Sequence, residues 1–217
     1  MFQVTQVGSW PRSESLLAAL TDFQAGRMTR AEFDRVADGE VRRAVELQQE
    51  AGVEILVDGE LRRDSFVSFV TEKLDGTRLM SLEDSADNQE GFSEELAAAD
   101  VPPGSILNPV CVGKLSRRDP LAVDEHAFVK ELTDQPIKVP LPGPYLLIRS
   151  MWSPKFSQDT YNEPTDMADD IIGILRDELI ELRDAGCEFV QFDEPVLTEV
   201  VLSDDTEGGE SFSRKFM

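Results

Sequence analysis

Two stretches of this chain end an apolar run in carboxylates. Phe189-Val190-Gln191-Phe192 leads into Asp193-Glu194-Pro195, and Val53-Glu54-Ile55-Leu56-Val57 leads into Asp58-Gly59-Glu60. Short apolar runs of this kind fit strands buried on both faces of a parallel sheet. Pro195 has no N–H for a ladder, so pairing should stop there and the chain turn outward. Carboxylates at the C-terminal ends of such strands stand at the edge where barrels and open α/β sheets do their chemistry. Two of them on separate strands would make an anionic mouth, suited to an ammonium group taken out of water. For each acid alone the plain alternative is a helix cap or a hydrated loop. A glycosidase acid pair of Glu60 and Asp193 is a third reading, and the presence of a single tryptophan near the mouth weighs against it.

Strands and helices must hold these groups. Phe2 to Val7 alternates loosely and ends in Gly8-Ser9-Trp10-Pro11, a strand and a turn. Ser13 to Ala25 is amphipathic, with Leu16, Leu17, Leu20 and Phe23 on one face and Gly26 closing it. Thr29-Arg30-Ala31-Glu32 is a capping box that opens a second helix reaching Gly52. Leu61 to Leu74 predicts another helix. Asp75 to Gly104 is acidic, polar and broken by Pro102-Pro103, an irregular excursion with at most a short helix near 94–99.

Beyond it, Val110 to Leu115 is a strand, and Val123 to Leu132 a helix carrying the only histidine, His126. Ile137 to Leu141 is a strand running into Pro142-Gly143-Pro144. Met167 to Ala185 is the clearest helix, and the last strand ends at Asp193. After Glu199 the chain drifts into a loop and reaches Met217 without another element. The alternation predicts a mainly parallel sheet, with strands near 3–8, 53–58, 110–115, 137–141 and 187–192 in sequential order. One domain over 1–217 is expected, interrupted by the excursion at about 75–104.

Composition narrows the partners. The 217 residues are 41% hydrophobic, enough for one sizeable core. A net charge of −22 argues against nucleic acid and anionic membranes, because phosphate binding needs clustered Lys and Arg. No apolar run is long enough to span a bilayer, and the first residues carry no basic-then-apolar signal. Two cysteines do not make a disulfide framework and fit a reducing, cytoplasmic setting. Cys111 and Cys187 read as core thiols, His126 as a surface residue, Ser9 as a possible cap of the first helix, and Trp152 as a rim aromatic.

Val7-Gly8-Ser9-Trp10-Pro11-Arg12, Asp58-Gly59-Glu60-Leu61-Arg62-Arg63-Asp64, Leu141-Pro142-Gly143-Pro144 and Gln191-Phe192-Asp193-Glu194-Pro195 stand in this order. With these motifs the sequence resembles the C-terminal catalytic barrel of cobalamin-independent methionine synthase, and more closely its single-domain relatives, from Thr5 to about Glu199. The resemblance implies a (β/α)8 TIM barrel that moves a methyl group from a methyl-folate to the thiol of homocysteine. It implies zinc, which holds that thiol as the nucleophilic thiolate. It implies that Gly8 and Ser9 hold the amino acid's polar end and that Glu60 and Asp193 bind its amino group. Glu199 matches an acid that contacts the pterin. Trp152 lies two residues from the position of a pterin-stacking tryptophan.

In the family the zinc ligands follow the Asp-Glu-Pro motif, on later strands. This chain is therefore expected to hold only about the first five strand–helix units and no zinc ligand or catalytic residue of its own. A fragment of a longer enzyme is the leading expectation; a barrel completed by a second polypeptide or a self-copy, and a non-catalytic amino-acid-binding or assembly subunit, are the others. By itself the chain is expected not to turn over homocysteine. The donor is left open between a folate, its polyglutamate form and a methyl-corrinoid.

Overall fold

The computed structural model describes residues 2–81, 84, 107–195 and 197. Helices α1 (Glu14–Gln24) and α2 (Arg30–Glu50) form where the sequence places them. Ser13 caps α1 by accepting from Leu16 N, so the cap is Ser13 and not Ser9. Thr29 and Glu32 close the expected capping box on α2, satisfying two of the donors a helix start leaves open.

After α2 the chain passes through the extended segment 53–58 and a turn-rich stretch to a 3₁₀ turn at Ser68–Glu72. An antiparallel hairpin follows, β1 (Leu74–Ser81) and β2 (Leu107–Arg117). Then come α3 (Val123–Lys130), β3 (Lys138–Pro142), α4 (Pro144–Met151), the short α5 (Pro154–Ser157), α6 (Ala168–Asp184) and β4 (Phe189–Asp193).

Four of the five expected segments lie side by side in parallel, in sequential order, though only the last two form a strand ladder. Thr5 bridges Ile55, Leu56 bridges Ile137, and β3 pairs with β4 from Lys138↔Phe189 to Pro142↔Asp193. The first two contacts are single bridges because other partners take up the backbone. Gln48 of α2 is buried and binds Val57 at both N–H and C=O, at 3.0 and 2.8 Å, where a strand neighbour would otherwise sit.

Three expectations fail here. Residues 110–115 are not a strand of the parallel sheet; they belong to the hairpin, with Thr77↔Cys111 and Leu79↔Pro109 in register. Apolar content announces a strand, but the direction of its partner depends on a long-range pairing that no tight turn signals. Leu61 to Leu74 is not a helix. Glu60 takes a left-handed φ of 55°, and the side chains of Asp64, Ser65 and Ser68 bond one another and nearby N–H groups, competing with helical bonds. Finally, β4 is not buried on both faces, since Phe189 and Phe192 are exposed. It pairs with β3 along one edge and has no strand partner on the other among the described residues.

Two clusters form the core. One joins α1 and α2 to Val53, Leu56 and Leu61. The other joins the hairpin, β3, α4 and the Ile171, Ile174, Leu175 and Leu182 stripe of α6. Glu178 of that helix is fully buried. It accepts from Leu121 N, Ala122 N and Arg117 Nη1 at 2.7–2.8 Å, which satisfies the start of α3. No helix among the described residues is long and apolar enough to cross a membrane.

Candidate functional site

Three segments meet at the C-terminal ends of the parallel strands: the Val7-Gly8 corner, the Asp58-Gly59-Glu60 turn, and Gln191 to Asp193 of β4. Their contact is close. A Cβ on Gly8 would lie 2.4 Å from Glu60 Oε1 and 3.2 Å from Pro140 Cγ. Any side chain here would push the Glu60 carboxylate away from this backbone.

The turn is held from both sides. Glu60 N donates to Asp58 Oδ1 at 3.0 Å, and Trp10 N donates to Gly59 O at 3.0 Å. Arg12 Nη2 donates to Arg63 O at 2.9 Å, fastening the chain just beyond the turn. Glu60 is the one non-glycine with positive φ among the described residues. For an L-residue that conformation costs about 1–2 kcal/mol, and such strain clusters at functional sites.

Glu60 is 3% exposed. Burial raises its pKa, Arg63 and Arg12 pull it down, and Asp58 and Asp193 push it up again. A carboxylate in this position gains from any further cation that enters. Asp193, half-buried, faces the same mouth and is oriented by a relay. Lys138 Nζ donates to Gln191 Oε1 at 2.7 Å, and Gln191 Nε2 donates to Asp193 Oδ1 at 2.7 Å. The same two side chains also reach Val7 O, at 3.1 and 2.9 Å, clamping the first strand position against β3 and β4. Burial lowers the Lys138 pKa, and the charges of Asp193 and Glu60 hold it up.

Glu194 does something else. Its two oxygens accept from Tyr145 N and Leu146 N, each at 2.8 Å, at the N-terminus of α4. That is a helix cap favoured by the dipole, and Gly143 leaves it room, since a Cβ there would fall 2.2 Å from Glu194 Oε1. The cap alternative given for each strand-end acid holds for Glu194.

A buried ion pair backs the turn. Arg63 binds Glu125 through Nε and Nη2, at 3.0 and 2.6 Å to the nearest oxygens, and donates to Pro140 O at 3.0 Å. The guanidinium also lies 4.2 Å from the centroid of Phe69. Sequence reasoning missed Lys138, Gln191 and this pair. The available signal was a polar residue inside each apolar strand, Lys138 between Ile137 and Val139 and Gln191 between Val190 and Phe192.

The remaining expected residues are placed as follows. Ser9 is exposed beside Gly8. Trp152 ends α4 and packs on the larger core cluster, one helix length, roughly 12 Å, from the capped end at the mouth. Glu199 lies outside the described residues. Cys111 is a core thiol, its Sγ donating to Gly113 O at 3.2 Å, and Cys187 is half-buried at the core's edge. His126 is not on the surface: it is 3% exposed, because α3 packs between α2 and α6 and turns Glu125 and His126 inward. Among the described residues no three His, Cys, Asp or Glu side chains gather as a metal site. The zinc implied by the resemblance does not fit these residues.

Fold and site together define a parallel α/β protein with a glycine-cornered, anionic mouth at its C-terminal strand ends. The profile of the family described as "Cobalamin-independent synthase, Catalytic domain" matches residues 2–214, and the chain belongs to that family. It is 31% identical over 198 residues to a 5-methyltetrahydropteroyltriglutamate–homocysteine methyltransferase of Chelativorans sp. (strain BNC1), covering 91% of this chain and 23% of that protein. It is 29% identical over 199 residues to the protein of that name from Saccharomyces cerevisiae, covering 92% of this chain and 24% of the relative. The chain thus spans about a quarter of the length of these relatives.

Among solved structures it resembles a B12-independent methionine synthase from Shewanella sp. W3-18-1 in complex with selenomethionine. The TM-score is 0.60 and the identity 28%, over 81% of this chain and 47% of that one. A putative vitamin-B12-independent methionine synthase from Listeria monocytogenes shares the fold, with TM-score 0.64 at 23% identity over 99% of this chain and 58% of that one.

Proposed function

We propose that this chain carries the amino-acid half of a methyl-transfer site, in which a methyl group passes from 5-methyltetrahydrofolate, or a related methyl donor, to the sulfur of homocysteine. The observation that supports it is the convergence of Glu60 and Asp193 on one mouth beside the Gly8 corner, in a member of this family. The substrate's ammonium group binds between the two carboxylates. Glu60 is desolvated and strained, so the cation gains a charge-assisted bond that water does not match. The Lys138–Gln191 relay aims Asp193. Gly8 and Ser9 receive the polar end of the amino acid, Gly8 by letting the Glu60 carboxylate stand close against its backbone and Ser9 by its exposed hydroxyl.

Zinc, the thiolate and the pterin contacts at Glu199 and Trp152 belong to the same reading. The described residues supply no metal site, so no step here passes through the metal. We place its ligands on further barrel strands, contributed by more of the same polypeptide, a second chain or a second copy. The chain is then one partial (β/α)8 domain. Free thiols at Cys111 and Cys187 suit the cytoplasm.

Calorimetric titration of the 217-residue chain tests the substrate assignment. L-homocysteine should bind, while N-acetyl-homocysteine, whose ammonium is blocked, and the Asp193→Asn variant should each bind about tenfold or more weakly, the worth of one hydrogen bond to a charged group. Equal affinity in all three cases refutes the assignment.

A further inference from the structure

Two buried polar atoms near the mouth have no partner: Asp58 Oδ2 and His126 Nδ1. Both residues are more than nine-tenths buried, at 6% and 3% exposure. Both line one small void, together with Glu125, Val129, Ile137, Lys138 and Val139. Its free volume is about that of one water molecule, and buried waters typically make about three hydrogen bonds to groups that otherwise go unpaired. Leaving either of these buried atoms without a hydrogen bond would forfeit the compensation for taking it out of water. Asp58 has a second task, since its Oδ1 accepts from Glu60 N and so holds the strained turn.

We propose that His126 is a positioning residue for Glu60, acting through one internal water that joins its Nδ1 to Asp58 Oδ2. The direction of each bond follows from the donors available. Asp58 as a carboxylate only accepts, so the water donates to it. With the water's second proton taken by Glu125 in the same lining, its oxygen accepts from Nδ1–H, which makes His126 the neutral Nδ1–H tautomer. The oxygens of Glu125 also hold Arg63. The strained turn, the water and α3 form one unit, and Asp58 cannot rotate away from Glu60 N without breaking it. The effect on substrate rests on the homocysteine reading above; the tautomer assignment does not.

His126 is the only histidine, so its side-chain nitrogens can be read by ¹⁵N NMR without assignment ambiguity. The wild-type chain, without ligand and near neutral pH, should show the Nδ1–H tautomer. Asp58→Asn keeps the shape but can offer its NH₂ to the water. The water then turns its proton toward the histidine, and the resonance should switch to the Nε2–H tautomer. The same tautomer population in wild type and Asp58→Asn, or a wild type already in the Nε2–H form, overturns the proposal whether or not homocysteine binds.

With homocysteine bound by the wild type, His126→Ala should weaken its affinity about fivefold, the worth of one net hydrogen bond. His126→Asn, which restores a donor close to the Nδ1 position, should recover most of it. A chain that shows the tautomer switch but binds no homocysteine upholds the water bridge and refutes the function instead. Equal loss of affinity in the Ala and Asn variants, with circular dichroism unchanged, overturns the positioning role.

Discussion

Glu60→Gln separates stability from binding at one residue. The side chain is 3% exposed, its backbone is left-handed at φ 55°, and Asp58 and Asp193 add negative charge to its surroundings. Its folded pKa is raised, first by burial. A carboxyl with a raised folded pKa contributes stability that is fully present below its unfolded pKa and lost as pH rises through the folded value. As pH rises toward 7 that contribution is lost, and a neutral amide of the same shape removes the loss.

Glu60→Gln should thus melt higher than wild type at pH 7, and the difference should vanish near pH 4, where the wild-type carboxyl is itself protonated. Binding moves the other way. Loss of one charge-assisted bond costs about 1.5–3 kcal/mol, or roughly ten- to a hundredfold in homocysteine affinity. Glu60→Gly, which removes both side chain and strain, should lose binding equally and recover about 1 kcal/mol from the backbone. Melting curves at pH 4 and 7 and calorimetric titration decide it. A Glu60→Gln chain that melts lower at pH 7, or binds as well as wild type, would show that this carboxylate is held by partners and not poised for a ligand.

Three further outcomes are expected. Gly8→Ala drives a methyl to within 2.4 Å of Glu60 Oε1, so homocysteine affinity should fall at least tenfold with little change in circular dichroism. Arg63→Met strands the buried Glu125 carboxylate, which should cost about 3–5 kcal/mol and lower the melting temperature by about 10 °C. Burial raises the pKa of Glu125 to about 7 against the pull of Arg63. Its contribution is therefore present at low pH and lost as pH rises toward 7, and Glu125→Gln should flatten the fall in stability between pH 5 and 7 seen by urea titration.

Local chemistry was legible in the sequence wherever a residue acts on its near neighbours. The Thr29–Glu32 capping box, the stripe of α6, the strands before Asp58 and Asp193, and their acid tips all follow from periodicity and side-chain type. So did the parallel order of four segments, since each is followed by chain long enough to cross back. Partner choice over long range was not legible. Residues 110–115 read as a strand, yet only their pairing with 74–81 reveals an antiparallel hairpin, because apolar content carries no direction. His126 read as exposed among polar neighbours, and packing of α3 between α2 and α6 buried it. Glu194 and Glu60 look alike in sequence, both acids after a strand. The three-dimensional arrangement set Glu194 against the open N–H groups of α4, where it is satisfied, and Glu60 in a desolvated, left-handed corner beside Asp193. Sequence alone specified which carboxylates reach the strand ends; the tertiary environment decided which of them caps a helix and which is buried beside a second carboxylate.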